Sequence, residues 1–290
     1  MRDADVPVLS RALGLPGIID LHVHFMPKNV MDKVWAYFDA VGPLTGSPWP
    51  IAYRTDEQDR LERLRAMGVL AFPSLVYPHR PGMAGWLNAW ASEFSAQHDD
   101  VLHTATMYPE PEAAAYVEQA LRDGVQVVKV HVQVGAFDPR DPQLDQAWAM
   151  LADAGVPVVV HCGSGPVSGA FTGPAVFGEV LARHPSLTAV IAHLGMPEYA
   201  EFVALARRYD RVHLDTTMAF TDYVEARMPF PPDLRHALLD LADRVVFGSD
   251  FPNTPHPFSH QVDALLRLDL GDDWLRGVLY ANAARLLSLG

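Results

Sequence analysis

The sequence contains a single cysteine, Cys162, among its 290 residues. One cysteine cannot form an intrachain disulfide, so the disulfide frameworks of small secreted domains are excluded. No set of thiolates competes for a metal ion either. A metal site in this chain must therefore be built from histidine and carboxylate side chains.

Long apolar runs and an excess of basic residues are also missing. No uninterrupted apolar stretch approaches the roughly 20 residues needed to span a bilayer. The chain has 22 Lys and Arg against 35 Asp and Glu, a formal net charge of −13. This acidity argues against sequence-independent binding to nucleic acid or to an anionic membrane. The first residues lack a signal-peptide pattern, so we expect a cytoplasmic protein.

Short β-branched runs alternate with amphipathic segments of helical period along most of the chain. Eight strands are predicted, near residues 17–24, 69–77, 101–107, 126–133, 157–162, 188–193, 211–216 and 244–249. The predicted helices are 56–67, 84–97, 111–123, 142–154, 174–183, 197–209 and 232–242, followed by a C-terminal pair that ends with 274–287. Eight such units favour an α/β fold with parallel strands, the (β/α)8 TIM barrel.

The whole chain, 1–290, is predicted to be one barrel domain, because about 250 residues is typical of this fold. A doubly wound open sheet is the alternative, but the first strand is not followed by the Gly-x-Gly-x-x-Gly of a dinucleotide site. Residues 27–53 are interpreted as an insertion after the first strand, with a short helix near 31–40 and an ordered flap. The glycine-rich segment 163–173 is either a lid or a plain linker.

Several of the apolar runs end in side chains that bind metals. His22 and His24 end the first run, His161 the fifth and Asp250 the last. Residues two apart in a strand point to the same side, so both imidazoles of the first pair can reach one ion. A single such histidine is more often a core residue, but the recurrence favours a metal site. Imidazole with carboxylate suits zinc, with manganese, iron or cobalt as alternatives.

The motifs resemble the amidohydrolase superfamily, and within it the amidohydrolase-related branch of aminocarboxymuconate-semialdehyde decarboxylase. The resemblance rests on Ile-Asp-Leu-His22-Val-His24-Phe-Met-Pro27, His161, Ala-His193-Leu-Gly, Phe-Gly-Ser-Asp250-Phe-Pro and Tyr280-Ala-Asn282-Ala-Ala-Arg285-Leu, in that order. It implies a barrel of the metallo-dependent hydrolase type. It also implies four metal ligands and two catalytic residues: the ligands His22, His24, His161 and Asp250, with Asp250 and His193 catalytic.

The number of metal ions and the role of Lys129 stay open at this stage. In some binuclear relatives a carboxylated lysine on the fourth strand bridges two metals, and Lys129 lies on the predicted fourth strand of this chain. We expect one divalent ion, with Lys129 as a buried partner of a carboxylate or substrate, and a bridge to a second metal as the alternative.

Substrate recognition is predicted for Arg54, because a guanidinium binds a carboxylate with two hydrogen bonds. A solvated surface arginine is the competing interpretation. The preferred function is a metal-dependent hydrolase that acts on a small acidic or aromatic substrate through a metal-activated water. A metal-dependent decarboxylase and an inactive small-molecule binding barrel remain as alternatives. Relatives are often homodimers, so a homodimer is an open expectation, whereas nucleic acid and membrane partners are not expected.

Overall fold

The computed structural model describes residues 1–42, 46 and 48–289. Its strands are short and follow the predicted order along the chain. They are β1 Ile18–Ile19, β2 Val69–Pro73, β3 Val101–Leu102, β4 Thr104–Thr106, β5 Val127–His131, β6 Val158–His161, β7 Ala189–Ile191, β8 Val212–Asp215 and β9 Val245–Val246.

Helices alternate with these strands, as predicted. They are α1 Val6–Ala12, α2 Lys28–Ala40, α3 Glu57–Ala66, α4 Ala84–Ala96, α5 Ala113–Arg122, α6 Val132–Gly135, α7 Pro142–Ala154, α8 Pro174–Arg183, α9 Tyr199–Arg208, α10 Asp222–Glu225, α11 Arg235–Asp240, α12 Phe258–Leu266, α13 Asp272–Arg276 and α14 Asn282–Leu286. None of the helices in the described ranges is long and apolar enough to cross a membrane.

The contacts between residues divide the chain into two compact units. The first unit combines the two ends of the chain, Met1–Phe72 and Thr216–Gly290, and the second is the middle, Pro73–Asp215. The expectation of one domain over residues 1–290 stays a prediction.

The second unit contains a parallel run of strands in the order β4-β5-β6-β7-β8. Every residue of β5 and β6 is buried, as expected for parallel strands that are covered on both faces. In the register of these two strands, His131 pairs with His161. The sheet therefore brings two histidines side by side at the ends of neighbouring strands.

In the first unit, β1 pairs in parallel with β2, and the chain after β1 then bonds to the segment that follows β9. The amide of Leu21 donates to Phe247 O at 3.0 Å, and that of His24 donates to Phe251 O at 2.7 Å. The amide of Asp250 donates back to His22 O at 2.8 Å. Residues 21–24 thus lie directly along the segment that carries Asp250.

Several predicted strands are longer than the observed ones, and two of them differ for a reason that the structure shows. The first strand, predicted to reach residue 24, ends at Ile19, because the Asp20 side chain accepts the amide of His22 and replaces a ladder hydrogen bond. The strand predicted over 101–107 is split at His103, whose amide donates to the side chain of Gln126. The helix expected within the insertion is present as α2, while residues 43–45 and 47 of the predicted flap lie outside the described residues.

Candidate metal centre

His22, His24 and Asp250 form a compact group in the first unit. Nε2 of His24 lies 3.0 Å from Oδ1 of Asp250, and Nε2 of His22 lies 3.8 Å from the same oxygen. One ligand atom of each residue lies within 4.8 Å of the others. Both histidines are buried, and the Asp250 side chain is 16% exposed. Two imidazoles and a carboxylate that converge in this way fit a divalent transition metal such as zinc.

A buried carboxylate that was given no role on sequence grounds supports this group. Asp20 is fully buried, and its Oδ1 accepts the amides of His22 at 3.0 Å and Ser249 at 3.1 Å. Oδ1 of Asp20 therefore fixes the backbone at two places: at His22, a predicted ligand, and at Ser249, the residue before the predicted ligand Asp250. The signal in the sequence was a charged residue inside an apolar run, two positions before His22.

The backbone of Asp250 has φ +65°, in the left-handed region that residues other than glycine rarely occupy. Aspartate tolerates this region better than most residues, and the amide of Asn253 donates to Asp250 O at 2.8 Å. Unusual backbone angles of this kind are concentrated at functional sites. The conformation directs the Asp250 side chain to His24.

The insertion after β1 is bound to the loop that follows Asp250. Trp35 Nε1 donates to Asn253 Oδ1 at 3.1 Å, and Trp49 Nε1 donates to Asn253 O at 2.7 Å. The amide of Ala52 donates to Thr254 O at 2.9 Å. The insertion and the loop after Asp250 in the first unit thus form one hydrogen-bonded structure.

Arg54, the predicted substrate-binding residue, is paired within the insertion. Its guanidinium donates to both carboxylate oxygens of Asp39, at 2.6 and 2.8 Å, and this bonding holds the pKa of Asp39 below its usual value. The Arg54 guanidinium also lies 5.5 Å from the Trp35 ring. A substrate carboxylate would have to displace Asp39 from the guanidinium. Substrate binding by Arg54 stays a prediction.

His161 and His193 meet in the second unit. Nε2 of His193 lies 3.2 Å from Nδ1 of His161, whose Nε2 lies 3.0 Å from Gly165 O. The ring of His131, considered structural on sequence grounds, stacks on that of His161 with 4.1 Å between ring centroids and 11° between planes. Gly165 belongs to the 163–173 segment. That segment, interpreted as either lid or linker, therefore contacts a predicted metal ligand directly.

The chain after β7 turns sharply at His193. His193 and Leu194 have φ +56° and +50°, and the His193 amide donates to Asp215 Oδ1 at 2.8 Å. Gly195 follows with φ +75°, and a Cβ atom there would lie 2.1 Å from the Phe202 ring. Only glycine fits this position without rearrangement. The tight turn fixes the His193 backbone, while its catalytic role stays a prediction.

Lys129 is fully buried on β5, where Thr106 Oγ1 donates to its carbonyl oxygen at 2.7 Å. Burial raises the pKa of the Cys162 thiol, Glu198 raises it further, and Lys129 acts in the opposite direction. A bridging role for Lys129 stays a prediction, as does its alternative role as a partner for a carboxylate.

The chain matches one known protein family. A family model described as "Amidohydrolase" matches residues 19–289. No curated protein matches the sequence.

Many solved structures resemble the chain. A TIM-barrel protein from Bordetella bronchiseptica has 22% identity and a TM-score of 0.75, covering 94% of this chain and 98% of its own. The 5-carboxyvanillate decarboxylase of Sphingomonas paucimobilis has 14% identity and a TM-score of 0.66, covering 95% and 100%. A candidate 2-pyrone-4,6-dicarboxylic acid hydrolase from Pseudomonas putida has 19% identity and a TM-score of 0.58, covering 94% and 98%. At these identities the likeness shows the fold class, and it confirms the predicted TIM-barrel class.

Proposed function

This chain belongs to the amidohydrolase family, and we propose that it is a metal-dependent hydrolase acting on a small acidic or aromatic substrate. One observation carries the proposal: two imidazoles and one carboxylate, from opposite ends of the chain, converge within 4.8 Å of one another.

The residues present fit one divalent ion, with zinc as the first choice and manganese, iron or cobalt as alternatives. His22, His24 and Asp250 would hold it. His161 is proposed as a further ligand on the strength of its motif, and one of its ring nitrogens would then exchange its contact with His193 or Gly165 for the ion. When bound, the ion supplies Lewis acidity and lowers the pKa of water to near 7. A second ion bridged by Lys129 is the alternative arrangement.

In the proposed reaction the side chains of this chain move protons and orient the substrate. The Asp250 carboxylate accepts a proton from the attacking water and returns it to the leaving group, a task that its partial exposure permits. His193 donates a hydrogen bond to the oxyanion that develops on the substrate. Arg54 binds a substrate carboxylate after exchange with Asp39.

Decarboxylation is the second candidate, since an ion held by the same residues could bind a carboxylate and a neighbouring hydroxyl of the substrate, while the carbon that bears the carboxylate takes up a proton and carbon dioxide leaves. A structurally similar protein is a 5-carboxyvanillate decarboxylase. That likeness shows a shared fold, so it keeps the decarboxylase proposal open without preferring it. A barrel that binds small molecules without turnover is the third candidate.

One experiment separates the three candidates. The metal-loaded protein and its Asp250→Asn variant are incubated in ¹⁸O-labelled water with lactones, aryl esters and carboxylated phenols. Hydrolysis predicts one labelled oxygen in the product, lost with Asp250→Asn. Carbon dioxide release without label in the organic product would replace the hydrolase proposal with the decarboxylase. A rise in Tm with these compounds but no turnover would indicate the binding protein.

A further inference from the structure

The peptide bond that joins Ser249 to Asp250 is held on both of its polar sides. Its N–H, which belongs to Asp250, donates to His22 O at 2.8 Å. Its C=O, which belongs to Ser249, accepts a hydrogen bond from Nε2 of Gln261. These two hydrogen bonds therefore fix the orientation of the peptide plane that immediately precedes the Asp250 Cα atom.

Two buried side chains continue this arrangement in the first unit. Asp20 Oδ1 accepts the Ser249 amide at 3.1 Å, so both the N–H and the C=O of Ser249 are bound by side chains. Gln261, which lies on α12 and is 3% exposed, also accepts the Met218 amide at its Oε1, at 2.8 Å. Buried backbone groups need partners, and here side chains provide them beyond the end of β9.

We propose that Asp20 and Gln261 are positioning residues, a clamp on Ser249 that aims the Asp250 carboxylate at His22 and His24. The clamp maintains Asp250 at its positive φ, from which relaxation to the usual region would swing the side chain away. This inference rests on the metal-binding role proposed for Asp250.

The chemistry of the two residues suits this role. Asp20 binds two amides through one carboxylate oxygen, and hydrogen bonds to a charged acceptor are stronger than neutral ones. Gln261 must donate to a carbonyl and accept from an amide at the same time, which an amide side chain does and an ionised carboxylate does not. Gln261→Glu therefore replaces the donor with a charged acceptor, with little change of shape.

The test measures Co²⁺ binding to the full-length protein by its visible absorption spectrum, with Tm recorded without metal. Loss of residues that orient metal ligands typically weakens metal binding about 10–100-fold. We expect Gln261→Glu and Asp20→Asn each to weaken Co²⁺ binding by roughly 10-fold or more and to shift its absorption bands. Their effects are expected to be less than additive in the double variant, because both hold the same peptide.

Asp3→Asn is the matched control. Asp3 also joins distant segments, since it accepts hydrogen bonds from Tyr53 Oη at 2.5 Å and from the Ser259 amide at 3.0 Å, and neither of these bonds is to Asp20, Ser249 or Gln261. Its Co²⁺ affinity should stay within about twofold of the wild type. If Gln261→Glu does not fold, Asp20→Asn, which keeps the side-chain shape, serves as the deciding variant.

Two outcomes would overturn the inference, and they are distinguishable. Variants with lowered Tm but unchanged Co²⁺ affinity and spectrum would show that Asp20 and Gln261 only stabilise the fold, leaving the proposed function intact. A wild-type protein that binds no Co²⁺ would remove the metal-binding role itself, and the clamp with it.

Discussion

Nε2 of His24 lies 3.0 Å from Oδ1 of Asp250, although the two residues come from opposite ends of the chain. Both are atom types that bind divalent cations, and Nε2 of His22 is a third such atom, 3.8 Å from the same Asp250 oxygen. The contact is thus the core of the candidate metal centre.

Metal content is the first prediction. We expect about one equivalent of metal per chain, lost in His24→Ala and Asp250→Ala, because each removes one of the converging donors. Elemental analysis of protein purified without added metal measures this. His161→Ala should also lose the ion, and Lys129→Ala should retain it. Two equivalents that fall with Lys129→Ala would establish the bridged binuclear alternative, and no metal at all would end the proposed mechanism.

The pairing of Arg54 with Asp39 leads to a prediction about substrates that carry a carboxylate. Asp39→Asn weakens the competing ion pair, so the KM for such substrates should fall by about 2–10-fold, whereas Arg54→Gln should raise it by about 10-fold. Steady-state kinetics on a carboxylate substrate and its neutral ester analogue measure the difference. Equal KM values for wild type and Arg54→Gln would leave Arg54 as a surface ion-pair residue.

The buried His256 should make the folded protein less stable at acidic pH. It is buried, with Nδ1 3.1 Å from Pro257 O, and burial lowers its pKa from 6.5 to about 4. Between pH 4 and 6.5 the unfolded chain therefore binds this proton more readily than the folded chain. The free energy of unfolding should fall as pH drops through this range, by about 3 kcal/mol in total from this residue.

Urea denaturation at several pH values, with chelator present, measures this contribution. His256→Phe should flatten the pH dependence between 4 and 6.5, whereas the exposed His236→Phe should leave it unchanged. A His256→Phe profile parallel to that of the wild type would contradict the assignment.

Gly195 gives a prediction about stability next to His193. Gly195→Ala places a Cβ within 2.1 Å of the Phe202 ring at a positive φ, so it should lower the free energy of unfolding by more than about 3 kcal/mol. The control is Gly85→Ala, near the start of α4, where a Cβ meets nothing within 4 Å. That change should be neutral or stabilising, by up to about 1 kcal/mol. Similar losses in both variants would contradict the steric argument.

The sequence predicted the helices well, because their ends depend on local signals. Helix α7 spans Pro142–Ala154 as predicted, with proline in its first turn and Gly155 at its C-cap with φ +68°. The histidines and Asp250 were found because each ends an apolar run.

The supporting contacts could not be predicted, because they join residues far apart in the sequence. From the sequence, Gln261 is an ordinary polar residue of a helix, and nothing near it predicts its hydrogen bond to Ser249 O. The sequence also does not show that the Arg54 guanidinium forms an ion pair with Asp39. The early end of β1 likewise depends on how Asp20 bonds the backbone at His22 and Ser249.

The first unit is assembled from the two ends of the chain, and this has a consequence for biosynthesis. A ribosome adds about 5–20 residues per second, so tens of seconds pass between the synthesis of His22 and that of Asp250. During that interval the two histidines are already made but have no carboxylate from the last segment to join them. The candidate metal centre is therefore expected to form only near the end of translation, and a truncated nascent chain should not bind an ion through these three residues.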